Sequence, residues 1–173
     1  MLLDNFSQIF TLGPEGTFSD EAAQKIRGDG VIVNYTGTFS EALFRVTEDP
    51  DSVAVVPIEN SVAGTVAQVQ DSLVSNKLVI LGEINLLIEY SLLANVALED
   101  VKLCFAHPQA LEQSNKFLSK NLTEPQNQLT RSNVDSGIQF LQAIKSDNGA
   151  LAAIVPASFA DSYPEWKVAT GIQ

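Results

Sequence analysis

An α/β fold in two lobes is predicted by three observations on the sequence. Short apolar runs rich in Val, Ile and Leu alternate with longer segments of helical periodicity, the pattern of helices laid over a sheet. Several of those apolar runs stop at a polar or Gly- and Pro-containing turn. The stretch TFSEALFRVTEDPDSVAVVPIENS is echoed later by SNVDSGIQFLQAIKSDNGALAAIVPASFADS, each giving a capped helix, a polar turn and an apolar strand ending in Pro. The echo sets two lobes of like design, over 1–78 and 79–165.

Taken in order, QIFTLG reads as a strand, GPEGTF as a turn and SDEAAQKIRG as a helix stopped at Gly28. GVIVNYT is a second strand. TFSEALFRVTE is a helix opened by Thr38, with Glu41 three residues on as a capping box. SVAVVPI is a third strand. A helix is expected next, because Val62, Val66, Val69 and Leu73 recur at helical spacing and mark one buried face. KLVILGEINLLIEYSLLA supplies two extended segments, and VKLCFA another strand. HPQALEQSNKFLSKN is a helix with Pro108 near its start. The last run gives helix, turn, strand and short helix.

Composition narrows the function classes. With 45% apolar and 18% charged residues, the chain is globular rather than disordered. No apolar run approaches the roughly 20 residues that span a bilayer. The N-terminus has no basic patch ahead of an apolar core, so no secretory signal is expected. Cys104 is the lone cysteine and lies in an apolar strand, a small hydrophobe suited to a reducing, cytoplasmic setting. The net charge of −11 works against nucleic acid and anionic membrane alike, and any anion site must be local. One histidine and one cysteine make no metal constellation. The sequence has no Gly-x-Ser-x-Gly elbow, Walker loop or Gly-x-Gly-x-x-Gly fingerprint, so neither metal nor cofactor is expected.

Ligands of α/β sheets gather at the carboxyl ends of strands, where helix N-termini present backbone N–H groups. Three turns answer that description: GPEGTFS, PIENSVAGT and AHPQA. In the first, Gly13 and Gly16 allow close backbone approach, and Thr17 and Ser19 serve either as helix caps or as ligand contacts. In the third, His107 is either a solvated loop residue or part of a site. The second crowds Glu59, Asn60 and Ser61 at one strand end. Ser61 as a cap would leave the other two unexplained, whereas an orienting site needs such donors and acceptors.

LGPEGTFSDEAA, VAVVPIENSVAGTV, LGEINLLIEYSLL and AHPQALEQSNKFL stand in an order and spacing that resemble the prephenate dehydratases over nearly the whole chain. The resemblance implies a fold like the type II periplasmic binding proteins, with substrate in a cleft between two lobes and residues 166–173 returning towards the first. It implies conversion of prephenate to phenylpyruvate in phenylalanine biosynthesis, without a cofactor. Carried over residue by residue, Glu59, Asn60, Ser61 and Thr65 are the catalytic candidates. Gly16, Thr17, Phe18, Gly64, His107 and Asn133 are the substrate-binding candidates.

The chain also departs from the family pattern. Asn133-Val134-Asp135 stands where a Ser-Thr-Ala run is usual, Ala106 where a serine precedes the histidine, and Asp20 where a histidine follows Ser19. Family members continue past the equivalent of GIQ into a Thr-Arg-Phe strand, and some into an ACT domain, whereas this sequence ends at Gln173. From that end the reading expects an unpaired sheet edge in the first lobe and hence a homodimer. Two alternatives stay open: a non-aromatising prephenate decarboxylase, for which the absent threonine speaks, and a non-catalytic binding module for small acids, for which Asn133-Val134-Asp135 speaks.

Overall fold

The computed structural model describes residues 6–146 and 149–173. Residues 1–5, where the absence of a secretory signal was read in part, lie outside the described residues, as do 147 and 148 of the second polar turn. The chain divides into two compact units between Leu86 and Leu87, eight residues beyond the expected boundary.

The first unit is built on a parallel sheet of β1 (Gln8–Leu12), β2 (Ile32–Thr36) and β3 (Ser52–Val55), in the order β2-β1-β3. Helix α1 (Phe18–Ile26) joins β1 to β2, and α2 (Phe39–Glu48) joins β2 to β3. Both helices start where their caps dictate. Thr17 Oγ1 accepts from the Asp20 N–H at 3.3 Å, and Thr38 Oγ1 from the Glu41 N–H at 3.1 Å. Glu41 Oε2 reaches back to the Gly37 N–H at 3.1 Å, so the capping box closes one residue ahead of the cap. Ile9, Ala23, Val31, Val53 and Val55 form the core, with Ile26 and Val33 packed against it.

After β3 the structure departs from the sequence reading. The expected helical face beginning at Val62 is instead a hairpin of β4 (Glu59–Asn60) and β5 (Gly64–Thr65), and α3 runs only from Ala67 to Ser75. Val69 is fully buried on α3, while Val62 at the hairpin tip is 72% exposed. Two local features turn the chain back. Asn60 Oδ1 accepts from the Val62 and Ala63 N–H groups at 2.9 and 3.0 Å, an Asx turn, and Gly64 takes φ +76. Of the two extended segments expected over 77–94, only β6 (Tyr90–Ala94) joins a sheet; residues 78–89 pair in none.

The second unit carries β6, β7 (Leu103–Ala106), β8 (Gln126–Leu129), β9 (Leu151–Pro156) and β10 (Lys167–Thr170), in the order β10-β6-β9-β7-β8. Strands β7, β8 and β9 are mutually parallel, and β6 runs antiparallel to both β9 and β10. Residues 167–170 therefore close the second unit's sheet rather than returning to the first. Ile172 is buried beside them, and the Gln173 amide bonds the Tyr90 N–H and the Ile88 carbonyl at 2.9 and 3.1 Å.

The helix expected over HPQALEQSNKFLSKN is two, α4 (Pro108–Gln113) and α5 (Asn115–Asn121), meeting at the fully buried Ser114. Helix α6 (Asn133–Lys145) precedes β9, and the short α7 (Ala157–Asp161) follows it. Strands β6 and β9 are buried along their whole length, as expected of strands covered on both faces. The core joins Leu93, Phe105, Phe140, Leu151, Val155 and Ala160. Gly137 of α6 lies so close to Phe159 that a Cβ there would overlap the ring.

The strand order β2-β1-β3 of the first unit recurs as β8-β7-β9 in the second. The likeness read weakly from the sequence echo is thus a likeness of topology.

Candidate functional site

Strand order decides where each unit can hold a ligand. The chain passes from β1 outward to β2, then back across β1 to β3, so the loops leaving β1 and β3 diverge from adjacent strands. In open α/β sheets ligands bind at the carboxyl ends beside such a reversal. In register, Thr11 pairs with Val55, so the turn 13–17 and the hairpin 59–65 both follow from neighbouring strand ends. The fully buried Thr11 hydroxyl ties those ends together, donating to the Val55 carbonyl at 2.9 Å.

In the turn after β1, Gly16 takes φ +82 and donates its N–H to Asp20 Oδ2 at 2.8 Å. Thr17 Oγ1 donates to the Leu12 carbonyl at 3.2 Å while accepting from Asp20, so its hydroxyl serves as the helix cap. Phe18 opens α1 and is half-buried. Sequence reasoning passed over what lies behind this turn. The buried Asp20 also accepts from the Tyr35 hydroxyl at 2.8 Å and from Gln24 Nε2 at 3.0 Å. Burial and the Asp20 carboxylate, with Glu15 adding to them, push the Tyr35 phenol up to about 12, which keeps it a donor at neutral pH. The Thr17-x-x-Asp20 spacing, a cap residue with an acid three positions on, is the sequence signal that would have pointed there.

The hairpin sets Glu59 opposite Thr65 and Asn60 opposite Gly64. Side chains alternate along strands, so Glu59 and Thr65 share one face and Asn60 takes the other. Glu59, Ser61 and Thr65 are exposed, and Asn60 is half-buried. Because Asn60 spends its carbonyl oxygen on the Asx turn, the amide Nδ2 is the end left to donate to a ligand.

In the second unit the corresponding reversal lies between β7 and β9. His107 follows β7 and caps α4, its Nδ1 accepting from the Gln109 N–H at 3.4 Å. Burial lowers its pKa, so the ring is neutral at pH 7 and its hydrogen sits on Nε2. Asn133 is the first residue of α6, at the end of the sheet where β8 finishes. The side chain bonds the buried Tyr90, whose phenol is raised by burial, while Asn133 Oδ1 is buried without a partner among the described residues. Arg131, two residues before Asn133, is exposed.

The structure thus joins Gly16, Thr17 and Phe18 in one turn and Glu59, Asn60, Ser61, Gly64 and Thr65 in one hairpin, both in the first unit. His107 and Asn133 stand in the second. Among the described residues no group of three or more His, Cys, Asp and Glu is placed to hold a metal ion. No helix among them is long and apolar enough to cross a membrane.

Comparison with known proteins gives a consistent result. The model of the family described as prephenate dehydratase matches residues 9–173. A bifunctional chorismate mutase/prephenate dehydratase of Pseudomonas aeruginosa is 30% identical over 165 residues, covering 93% of this chain and 44% of that protein. A prephenate dehydratase of Methanocaldococcus jannaschii is 36% identical over 120 residues, covering 68% of this chain and 43% of that one. The crystal structure of the Staphylococcus aureus prephenate dehydratase superposes with a TM-score of 0.78 at 26% identity, over 96% of this chain and 61% of that chain. The chain spans less than half the length of these curated relatives.

Proposed function

The chain belongs to the prephenate dehydratase family, and on that footing we propose that it converts prephenate to phenylpyruvate at the carboxyl-end turns described above. The reaction breaks the bond to the ring carboxylate, which departs as carbon dioxide, and its electron pair flows into the ring as the ring C–O bond breaks. The hydroxyl leaves as water once a proton reaches it, and aromatisation drives both steps. The site must therefore hold anionic carboxylates with hydrogen-bond donors and supply a proton or donor to one oxygen.

The observation that carries this reading is the Glu59–Thr65 hairpin at the β1/β3 reversal. There Asn60 has its oxygen tied down and its Nδ2 turned into a dedicated donor. Glu59 and Thr65 pair on the hairpin's other face, and their assignment to the departing hydroxyl rests on the family resemblance rather than on this geometry. Ser61 and Gly64 shape the hairpin tip. Gly16, Thr17 and Phe18 form the neighbouring turn; within the second unit, His107 Nε2–H and Asn133 are the polar groups carried over from the family resemblance.

Incubation with prephenate at neutral pH, followed by product identification, tests the reading. Phenylpyruvate is the expected product. A non-aromatic decarboxylated acid that keeps its hydroxyl, or binding without turnover, overturns it. A homodimer is proposed as well, on the solvent-facing apolar side chains of Val79, Ile80 and Leu81 in a segment that joins no sheet. The buried thiol of Cys104 and the biosynthetic reaction support a cytoplasmic setting.

A further inference from the structure

Resting on the reading that the turn after β1 takes part in binding prephenate, we propose that Asp20 is a positioning residue that sets the backbone of Gly16 and Thr17 for the substrate. The Asp20 residue is only 5% exposed, and its two oxygens gather donors from three parts of the first unit. Oδ2 takes the Gly16 N–H at 2.8 Å, and Oδ1 takes the Tyr35 hydroxyl at 2.8 Å and Gln24 Nε2 at 3.0 Å. One carboxylate thereby fastens the turn, the first turns of α1 and the end of β2 to one another. Its own N–H completes the Thr17 cap. Gly16 sits at φ +82, where neither a ladder nor a helix bond holds it, and the bond to Asp20 fixes its N–H. That N–H is spent on a carboxylate, so Gly16 offers the substrate its shape rather than a donor.

The charge of Asp20 opposes this role in sign, which makes the test decisive. A carboxylate near a dianionic substrate repels it, so simple removal of the charge would lower KM, whereas loss of the anchored turn raises KM. Kinetics with prephenate should show Asp20→Ala raising KM by about tenfold or more with kcat changed far less, the scale expected for losing a charge-assisted bond. Asp20→Asn, which keeps an acceptor and drops the charge, should recover most of that rise. Tyr35→Phe should raise KM by a smaller factor, and the Asp20→Ala/Tyr35→Phe pair should be little worse than Asp20→Ala alone, because both act through one network. Wild-type or lower KM in Asp20→Ala overturns the inference while leaving the reaction in place. If Asp20→Ala does not fold, wild-type KM in Tyr35→Phe does the same. A wild-type chain that fails to turn over prephenate overturns the proposed function and this inference with it.

Discussion

In the proposed site, Asn60 serves architecture and chemistry with different atoms. Its oxygen holds the Asx turn and its nitrogen is left for a ligand, so the two roles separate by substitution. Asn60→Asp keeps the acceptor and removes the donor. It should leave thermal stability near wild type while weakening prephenate binding by about 1.5–3 kcal/mol, measured by calorimetry. Asn60→Ala should lose both. His107 gives a second residue-level prediction. Burial depresses its folded pKa below the unfolded value of about 6.5, so its contribution to stability is complete above that pH and is lost as pH falls towards the folded pKa. Protonating Nδ1 also cancels the acceptor that caps α4. Denaturant midpoints measured from pH 7.5 downward should decline below about pH 6.5. In His107→Asn, whose cap does not titrate, that component should vanish. At this scale much of the candidate site was legible, because Glu59, Asn60 and Ser61 stand out as polar groups at a strand end. Asp20 was read as a departure from a pattern, since its partner Tyr35 on β2 reaches it only through the fold, although Gln24 lies one helical turn on.

At the scale of elements, the alternation of apolar runs and capped helices sufficed for β1 to β3, α1, α2, β7, α6 and β9, where local propensity and burial agree. It failed over residues 61–66. Val62, Val66 and Val69 match a helical period, yet the Asx turn and the positive φ of Gly64 reverse the chain before a helix can begin, and local hydrogen bonding overrides periodicity. The segment 78–89 failed for a different reason. An apolar run becomes a strand only beside a partner, and the sequence does not say which segment pairs with it. Helix α6 carries an element-level prediction. Gly137→Ala, ordinarily favourable in a helix, should destabilise the protein by roughly 1–3 kcal/mol, because its methyl group meets the Phe159 ring. Phe159→Leu should recover part of the loss in the double variant, as read by urea unfolding.

For the whole molecule, the repeated order β2-β1-β3 and β8-β7-β9 gives each unit its own sheet and its own reversal point, and the sequence echo foreshadowed that symmetry. The destination of residues 167–170 was not legible: antiparallel pairing with β6 depends on a register that a four-residue strand does not announce. The exposed Val79, Ile80 and Leu81 bear on assembly. Light scattering during size-exclusion chromatography should give about twice the monomer mass, and Val79→Lys together with Ile80→Lys should return the chain to a monomer. Strands β6 and β9, buried throughout and bonded on both sides, have a further consequence in time rather than space. Their amides can meet solvent deuterium only when the second unit opens as a whole, whereas the two-residue hairpin that carries Glu59 and Thr65 can open alone. Exchange should therefore sort the chain into a slow interior and a fast rim, with the proposed chemistry carried on the fast rim.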